Sequence, residues 1–493
     1  MDTLDLSRLQ FAVVTIYHYF FVPLSISLAA ITAGLQTAWV RTGRHDLQRL
    51  TMFTGKLLMV TFAVGVVTGL VQEFQFGLSW SAFSRFYGDV FGPTLAIEGM
   101  LAFFLEATFL GLWFFGWDRM PRLAHLATIW IVAVGTLISA FVILGANSFM
   151  QNPVAYDVDP ETGRAELTSF AELMTNPVNL AAYPHTLAGA FMTGGALVLA
   201  ISAWRAWGRG PAREAPADDD HATWRSLARV GAWVTLVAGA AVVLTGDHLG
   251  KVITEVQPMK MAAAEALFAT ETGAAFSIFA VGPLDGGEPF FSLDIPYVLS
   301  VLATGDPTST VHGITDLQGQ YEQQYGPGSY VPWVPVAYWT FRLMIGTGVV
   351  AIAAALALLW ASRGGRTPGR DDGGTSLLAR VTRVAGRLLL RFLPLIPLLP
   401  VAANTFGWLF TETARQPWLV FGLFRTEDGV SPGLTEPEVL ASLLGFGVLY
   451  GILAVVWLRL VLHLSRQDLT GSPGTPTSRP GDGAEPAALV PAY

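Results

Sequence analysis

Residues 407–418 read GWLFTETARQPW; they close an apolar run and yet carry Glu412 and Arg415. Charge in or beside hydrocarbon is costly and is retained where it serves a function. The plain alternative is a polar exit loop with a tryptophan anchor at the membrane surface. The choice depends on whether the preceding run crosses a membrane and on what Glu412 faces.

The chain as a whole answers the first question. Of its 493 residues 52% are hydrophobic and 13% charged, and the mean hydropathy is +0.48, the composition of a polytopic membrane protein. Nine runs are long enough to cross about 30 Å of hydrocarbon: 11–38, 56–78, 93–117, 123–147, 183–206, 228–249, 336–361, 388–410 and 439–463. They are continuous blocks without the alternation of membrane strands, so the expected fold is an all-α integral membrane protein with about nine transmembrane helices. The start, MDTLDLSRLQ, lacks the basic n-region and short apolar core of a cleaved signal peptide, so the first helix is expected to stay. Cys is absent, which removes disulfides, thiolate haem ligation and Cys-bound iron–sulfur clusters. A redox metal here would have to use His, Met or carboxylate.

Orientation follows from Lys and Arg. With the N-terminus outside, the inner loops and the C-terminus hold 21 of the 29 basic residues, seven of them between Arg363 and Arg391. The positive-inside rule therefore places the N-terminus outside and the C-terminus in the cytoplasm. The net charge of −8 arises mainly in the outer loops 148–182 and 250–335 and gives no indication of nucleic acid. The segment from Lys251 to Pro335 is too long for a passive connector and is expected to be a functional loop or small outer domain. Its first part, QPMKMAAAEALFATE, reads as a short amphipathic helix, and its second half, rich in Gly, Pro and Tyr, as ordered loop. The tail from Gly471 to Tyr493 is expected to be disordered. No internal repeat is present to support an inverted-repeat transporter.

Five of the polar or sulfur-bearing residues inside the spans fall at one expected depth. His18 lies seven residues inside Phe11, about 10 Å below the outer boundary. A lone His in a span is commonly a hydrogen-bonded packing residue, with haem or metal ligation as the alternative. Glu98 and Glu106 are eight residues apart on nearly one face of the third span, a pattern suited to a proton relay. His185 opens the fifth span; Arg342 and Met344 open the seventh, where a buried guanidinium calls for an anion such as a carboxylate or a haem propionate. In the expected topology His18, Glu98, His185, Met344 and Glu412 all fall near the outer side. Convergence at one depth favours buried metal centres over unrelated packing residues; His with Met suits a low-spin haem, and His with carboxylates suits haems that leave room for substrate.

With these residues in hand, the chain resembles subunit I of the cytochrome bd-type ubiquinol or menaquinol oxidases over essentially its whole length. Residues 407–418 match the family motif GWxxxExGRQPW except at Ala414, where Gly is usual. Further similarities are the surroundings of His18, AIEGMLAFFLEATF around Glu98 and Glu106, GANSFMQNP at 145–153, YPHTLAGAF around His185 and FRLMIGTG around Met344. The resemblance implies a four-helix-bundle-like haem core, with His185 and Met344 ligating a low-spin haem b and Arg342 near a propionate. It implies that His18, Glu98 and Glu412 ligate or line the sites of a high-spin haem b and haem d, without saying which residue serves which. Glu106 becomes a proton-relay residue, and Trp408 and Arg415 supports of the haem pair; an interface anchor and a lipid-phosphate contact are the alternatives for these two. In KMAAAE, Lys260 and Glu265 match positions associated with quinol oxidation; a base for the quinol proton and a donor to the quinone oxygen are what that reaction needs.

The expected organisation is residues 1–249 as helices 1–6 with haem ligands, 250–335 as an extracytoplasmic quinol-binding loop, 336–464 as helices 7–9 and 465–493 as a cytoplasmic tail. The implied activity is a terminal respiratory oxidase of the bacterial cell membrane. It would oxidise quinol at the outer face and reduce oxygen to water at haem d, building membrane potential with cytoplasmic protons and no pump. Its implied partners are a second membrane subunit and small accessory subunits, besides quinol, oxygen and the lipid bilayer. A haem–copper oxidase would need about six membrane His, and too few of the eight here are placed for it. A proton-coupled transporter without haem would explain the carboxylates, but not why His and Met share their depth.

Overall fold

The computed structural model describes residues 2–208, 218–369 and 376–469. Among the described residues eight helices are long and apolar enough to cross a membrane, and a bent pair brings the number of candidate spans to nine. They are α1 (Thr3–Thr42), α2 (His45–Leu78), α3 (Ser81–Phe115), α4 (Arg122–Gln151), α5 (Pro177–Trp207) and α6 (Asp218–Val256). After the short α7 (Pro258–Glu265) and α8 (Ile314–Tyr325) come α9 (Val334–Ala361), α10 (Leu377–Phe392), α11 (Leu398–Thr413) and α12 (Glu436–Arg466). Each of the nine expected runs corresponds to one of these helices or to the bent pair; the third run alone overshoots its helix, which ends at Phe115. The expected tail from Gly471 lies outside the described residues.

Two spans differ from their sequence reading in ways that matter. The eighth, expected as one run over 388–410, is broken: α10 and α11 meet at 56° across a 3₁₀ turn at Leu393–Leu395. The cause is Pro394, Pro397 and Pro400, each without an N–H to donate and each crowding the preceding turn. The third begins earlier than expected, at Ser81, and winds as a π-helix over Gly99–Leu105. Such wide turns concentrate at functional sites, and this one separates Glu98 from Glu106.

The main core is built where α1, α2, α5 and α6 press together, and small residues let them approach. A Cβ on Gly194 would collide with Ser27 of α1, and one on Gly231 would lie 2.5 Å from the backbone N of Leu199, so α5 and α6 touch along their backbones. The 251–335 segment folds onto the helix ends. It carries an antiparallel hairpin, β1 (Phe276–Val281) with β2 (Phe291–Ile295), as well as α7 and α8, so its Gly- and Pro-rich second half is more structured than an ordered loop. The expected helix around KMAAAE is present as α7, but it is not amphipathic in its surroundings: every residue from Met259 to Glu265 is buried.

Candidate active site

One large cavity of about 1000 Å³ opens between α1, α2, α3, α4 and α11, and its walls include His18, Glu98, Glu106, Trp408, Glu412 and Arg415. Six side chains singled out in the sequence thus meet around one space. His18 Nδ1 lies 3.0 Å from Thr68 Oγ1 on α2, which fixes the ring. The ring lies against Gly69, where a Cβ would come within 3.1 Å of its Cε1. Glu98 accepts a 3.4 Å hydrogen bond from Ser139 of α4. Glu106 is buried, and its Oε1 has no partner among the described residues.

The motif at the end of α11 forms one wall of this cavity. Glu412 Oε2 receives Arg415 Nη2 at 2.6 Å, and Oε1 receives Asn147 Nδ2 at 3.0 Å. Arg415 is buried; its Nε donates to Trp418 O at 3.2 Å, while its Nη1 has no partner among the described residues. Trp408 stacks on Tyr19 of α1, ring centres 5.6 Å apart and nearly parallel. Ala414 has φ −78° and ψ −5°, ordinary helical values that any residue adopts. Its methyl is buried among Phe410 and Trp418, so replacing the usual Gly leaves Arg415 held at both Glu412 and Trp418.

His185, Met344 and Arg342 do not line this cavity. His185 on α5 bonds Thr245 Oγ1 of α6 at 3.2 Å and lies against Gly246. Met344 on α9 points at α11, where a Cβ on Gly407 would be 2.8 Å from its Sδ. The glycine that opens the motif is therefore where α9 and its thioether reach α11. Arg342 makes five hydrogen bonds, as many as a guanidinium has N–H groups: Nε to Ser277 O at 3.0 Å, Nη2 to Ser277 O at 2.5 Å and to Glu265 Oε2 at 2.6 Å, and Nη1 to Glu265 Oε1 at 3.2 Å and to Ala264 O. The sequence calls for a carboxylate or a haem propionate at this buried guanidinium; the anion present is the Glu265 carboxylate, and the other donors go to backbone carbonyls of α7 and β1.

Lys260 and Glu265, near the two ends of α7, bond to different elements. Lys260 Nζ donates to Gln151 Oε1 at 2.8 Å and to Thr411 O at 3.0 Å, one residue before Glu412. Burial pushes this amine down to about 7, with Arg415 lowering it further and Glu412 opposing. Burial pushes Glu265 up to about 7, against the pull of Arg342. One short helix thus links the carboxylate wall of the cavity to the α9 segment that carries Met344.

Sequence reasoning passed over Thr68 and Thr245, which position His18 and His185, Tyr19, which stacks on Trp408, and Arg8, Glu73 and Asn147, which also line the cavity. Asn147 stood inside the family-like GANSFMQNP stretch, but nothing in one sequence marks a threonine one helix away. The family model for cytochrome bd terminal oxidase subunit I matches residues 6–469. The chain belongs to that family. It is 41% identical over 458 residues to cytochrome bd ubiquinol oxidase subunit 1 of Bacillus subtilis, covering 92% of each chain. It is 33% identical to cytochrome bd-II ubiquinol oxidase subunit 1 of Escherichia coli, over 94% of this chain and 96% of that one. The solved bd oxidase from Geobacillus thermodenitrificans superposes with a TM-score of 0.80 at 27% identity, over 94% of this chain and 98% of that chain.

As a bd oxidase subunit I, the chain is one part of a multi-subunit membrane oxidase that carries haems, and its residues fit such groups. No three His, Cys, Asp or Glu side chains cluster as a protein-only metal site among the described residues; axial ligation of a haem asks for one or two. Gly69, Gly246 and Gly407, lacking a Cβ, let the side chains of His18, His185 and Met344 pack directly against the neighbouring helix, which fixes the donor atoms a haem would need. The unpartnered Arg415 Nη1 is a buried donor suited to an anionic edge group.

Proposed function

We propose that the chain is the haem-bearing subunit of a quinol:oxygen oxidoreductase in a bacterial cytoplasmic membrane, working with a second membrane subunit. The observation that carries this is the single cavity joining His18, Glu98, Glu106 and Glu412. His18, Glu98 and Glu412 would hold a high-spin haem b and a haem d there, and His185 with Met344 a low-spin haem b on the other side of α11. The haems, when bound, supply electron transfer and oxygen reduction.

The chain's own residues do the rest. Glu265 takes a proton from quinol entering from the outer side, and Lys260 donates to the quinone oxygen; both are buried at the joint between the two haem sites. Trp408, stacked on Tyr19, and Arg415, held by Glu412 and Trp418, keep the cavity wall in place. Glu106 passes protons from the cytoplasmic side toward Glu98 and the cavity, so turnover builds membrane potential without a pump. Protons found to be consumed from the outer side would overturn that direction.

A reduced-minus-oxidised spectrum of the purified oxidase tests the whole reading. Bands of low-spin haem b together with a red-shifted chlorin band are expected. A complex that oxidises no quinol and shows no haem bands would return the carboxylates to a transport role.

A further inference from the structure

The oxidase reading leaves α10, LLARVTRVAGRLLLRF, without a task. This helix has three faces. One packs into the bundle: Gly386 and Leu389 are buried, and Thr382 accepts a 3.1 Å hydrogen bond from Trp360 Nε1 of α9. The second is an apolar stripe at spacings of three or four, Leu377, Val381, Val384, Leu388 and Phe392, exposed by 78%, 55%, 49%, 50% and 48%. The third carries the exposed Arg380, Arg387 and Arg391, and no Asp or Glu occurs in the sequence from 376 to 411. At about 100° per residue the arginine stripe lies about a quarter turn from the apolar one. Arg387 is held in place by a 3.2 Å bond from its Nε to Gly369 O.

Neither water nor a protein interior suits all three faces. Water would not favour five large apolar side chains, and a protein interior would need carboxylates opposite the arginines. The boundary between acyl chains and anionic headgroups suits both exposed faces. The geometry agrees: α10 is bent 56° away from the membrane-crossing α11, at the end of the bundle where the arginine-rich loops gather.

We propose that α10 lies in the cytoplasmic surface of the bilayer as a binding site for anionic phospholipid, with its apolar stripe in the acyl region and Arg380, Arg387 and Arg391 on the headgroup phosphates. Through the proline turn the same helix anchors the inner end of α11, whose outer end carries Trp408 and Glu412. Lipid charge thereby gains a hold on the element that walls the cavity.

The chain has no cysteine, so Val384→Cys in the intact oxidase can carry a bimane probe, with the unsubstituted complex as labelling background. The labelled oxidase is placed in vesicles of phosphatidylcholine with about one quarter phosphatidylglycerol, acyl-brominated on one lipid or the other. Bromine on either lipid is expected to quench the probe, and brominated phosphatidylglycerol more strongly at equal mole fraction. Replacing Arg380, Arg387 and Arg391 by Gln should remove that preference, with local enrichment falling about fivefold per arginine, while quenching by brominated lipid persists. An unchanged haem spectrum shows the variant to be folded. No quenching from either lipid would mean that another subunit covers the stripe, and equal quenching by both would mean no selection for charge; either result overturns the proposal.

Discussion

Arg342 and Glu265 face each other as a two-pronged ion pair, Nη2 to Oε2 at 2.6 Å and Nη1 to Oε1 at 3.2 Å, two residues along α9 from Met344. The guanidinium lies 4.1 Å from the ring centre of Tyr338 and 4.8 Å from that of Phe276, so both charges are shielded from water. The pair fastens the 251–335 segment to the helix that holds a haem ligand candidate.

Removing one partner from a buried pair strands the other, at a cost of about 3–5 kcal/mol. Arg342→Gln is therefore expected to lower the thermal midpoint of the oxidase and to loosen the low-spin haem, read as lost absorbance on warming. Glu265→Gln leaves the guanidinium an amide oxygen and should cost less. Equal midpoints for Arg342→Gln and the parent would mean that the pair does not hold α7 to α9.

The two groups on α7 also set a pH dependence. Burial pushes Glu265 up to about 7, and a base acts only once deprotonated, so activity rises with pH through that value. Burial pushes Lys260 down to about 7, and a donor acts only while protonated, so activity falls with pH beyond it. The expected kcat/KM profile for quinol is a narrow bell centred near 7. Glu265→Gln should lower the maximum and flatten the acidic limb; Lys260→Met should do the same to the alkaline limb. A profile flat from pH 6 to 8 would remove both roles.

Much of this arrangement could be read from residues alone. Apolar length placed the nine spans, because a helix that must cross hydrocarbon has to declare itself continuously. His18, Glu98 and Glu412 could be grouped by depth, together with His185 and Met344, since a topology fixes depth. Lateral grouping could not be read: His185 and Met344 are expected at the depth of His18 and yet lie outside its cavity, because rotation about each helix axis is set by packing such as Gly407 against Met344. The use of Arg342 on Glu265 was equally hidden, since it joins residues 77 apart in sequence.

Gly407 and Met344 give a paired test of the low-spin site. Met344→Leu keeps the volume but removes the thioether, and the low-spin haem signal should be lost while the high-spin signals stay largely present. Gly407→Ala keeps the thioether but puts a methyl 2.8 Å from Sδ, an overpacking worth about 1–3 kcal/mol. It is expected to shift the low-spin band and midpoint potential without abolishing them. An unchanged low-spin spectrum in Met344→Leu would withdraw the assignment.

Ala414→Gly restores the residue usual in the motif, and the outcome expected here is loss rather than gain. The position has helical φ and ψ, so glycine brings only added freedom in the unfolded chain and a methyl-sized gap, together about 1.5 kcal/mol. Spectra and turnover should match the parent while the thermal midpoint falls slightly. A rise in stability would show that Ala414 strains Arg415.

Glu106 separates the relay reading from a packing role. It is buried with Oε1 unpartnered among the described residues, and α4 comes so close that a Cβ on Gly135 would lie 3.2 Å from its Cγ. A carboxylate kept only for packing would tolerate an amide of the same shape. A relay would not, because an amide cannot take up and release a proton at these pH values. Glu106→Gln is thus expected to reduce turnover about 10²-fold or more while the haem spectra stay as in the parent. Glu106→Asp, which keeps the proton but shortens the reach, should fall between them. Gly135→Ala offers a check without touching the acid: by crowding Glu106 it should slow turnover under proton-limited conditions and leave quinol KM unchanged. Full turnover in Glu106→Gln would confine this residue to packing and require another route into the cavity.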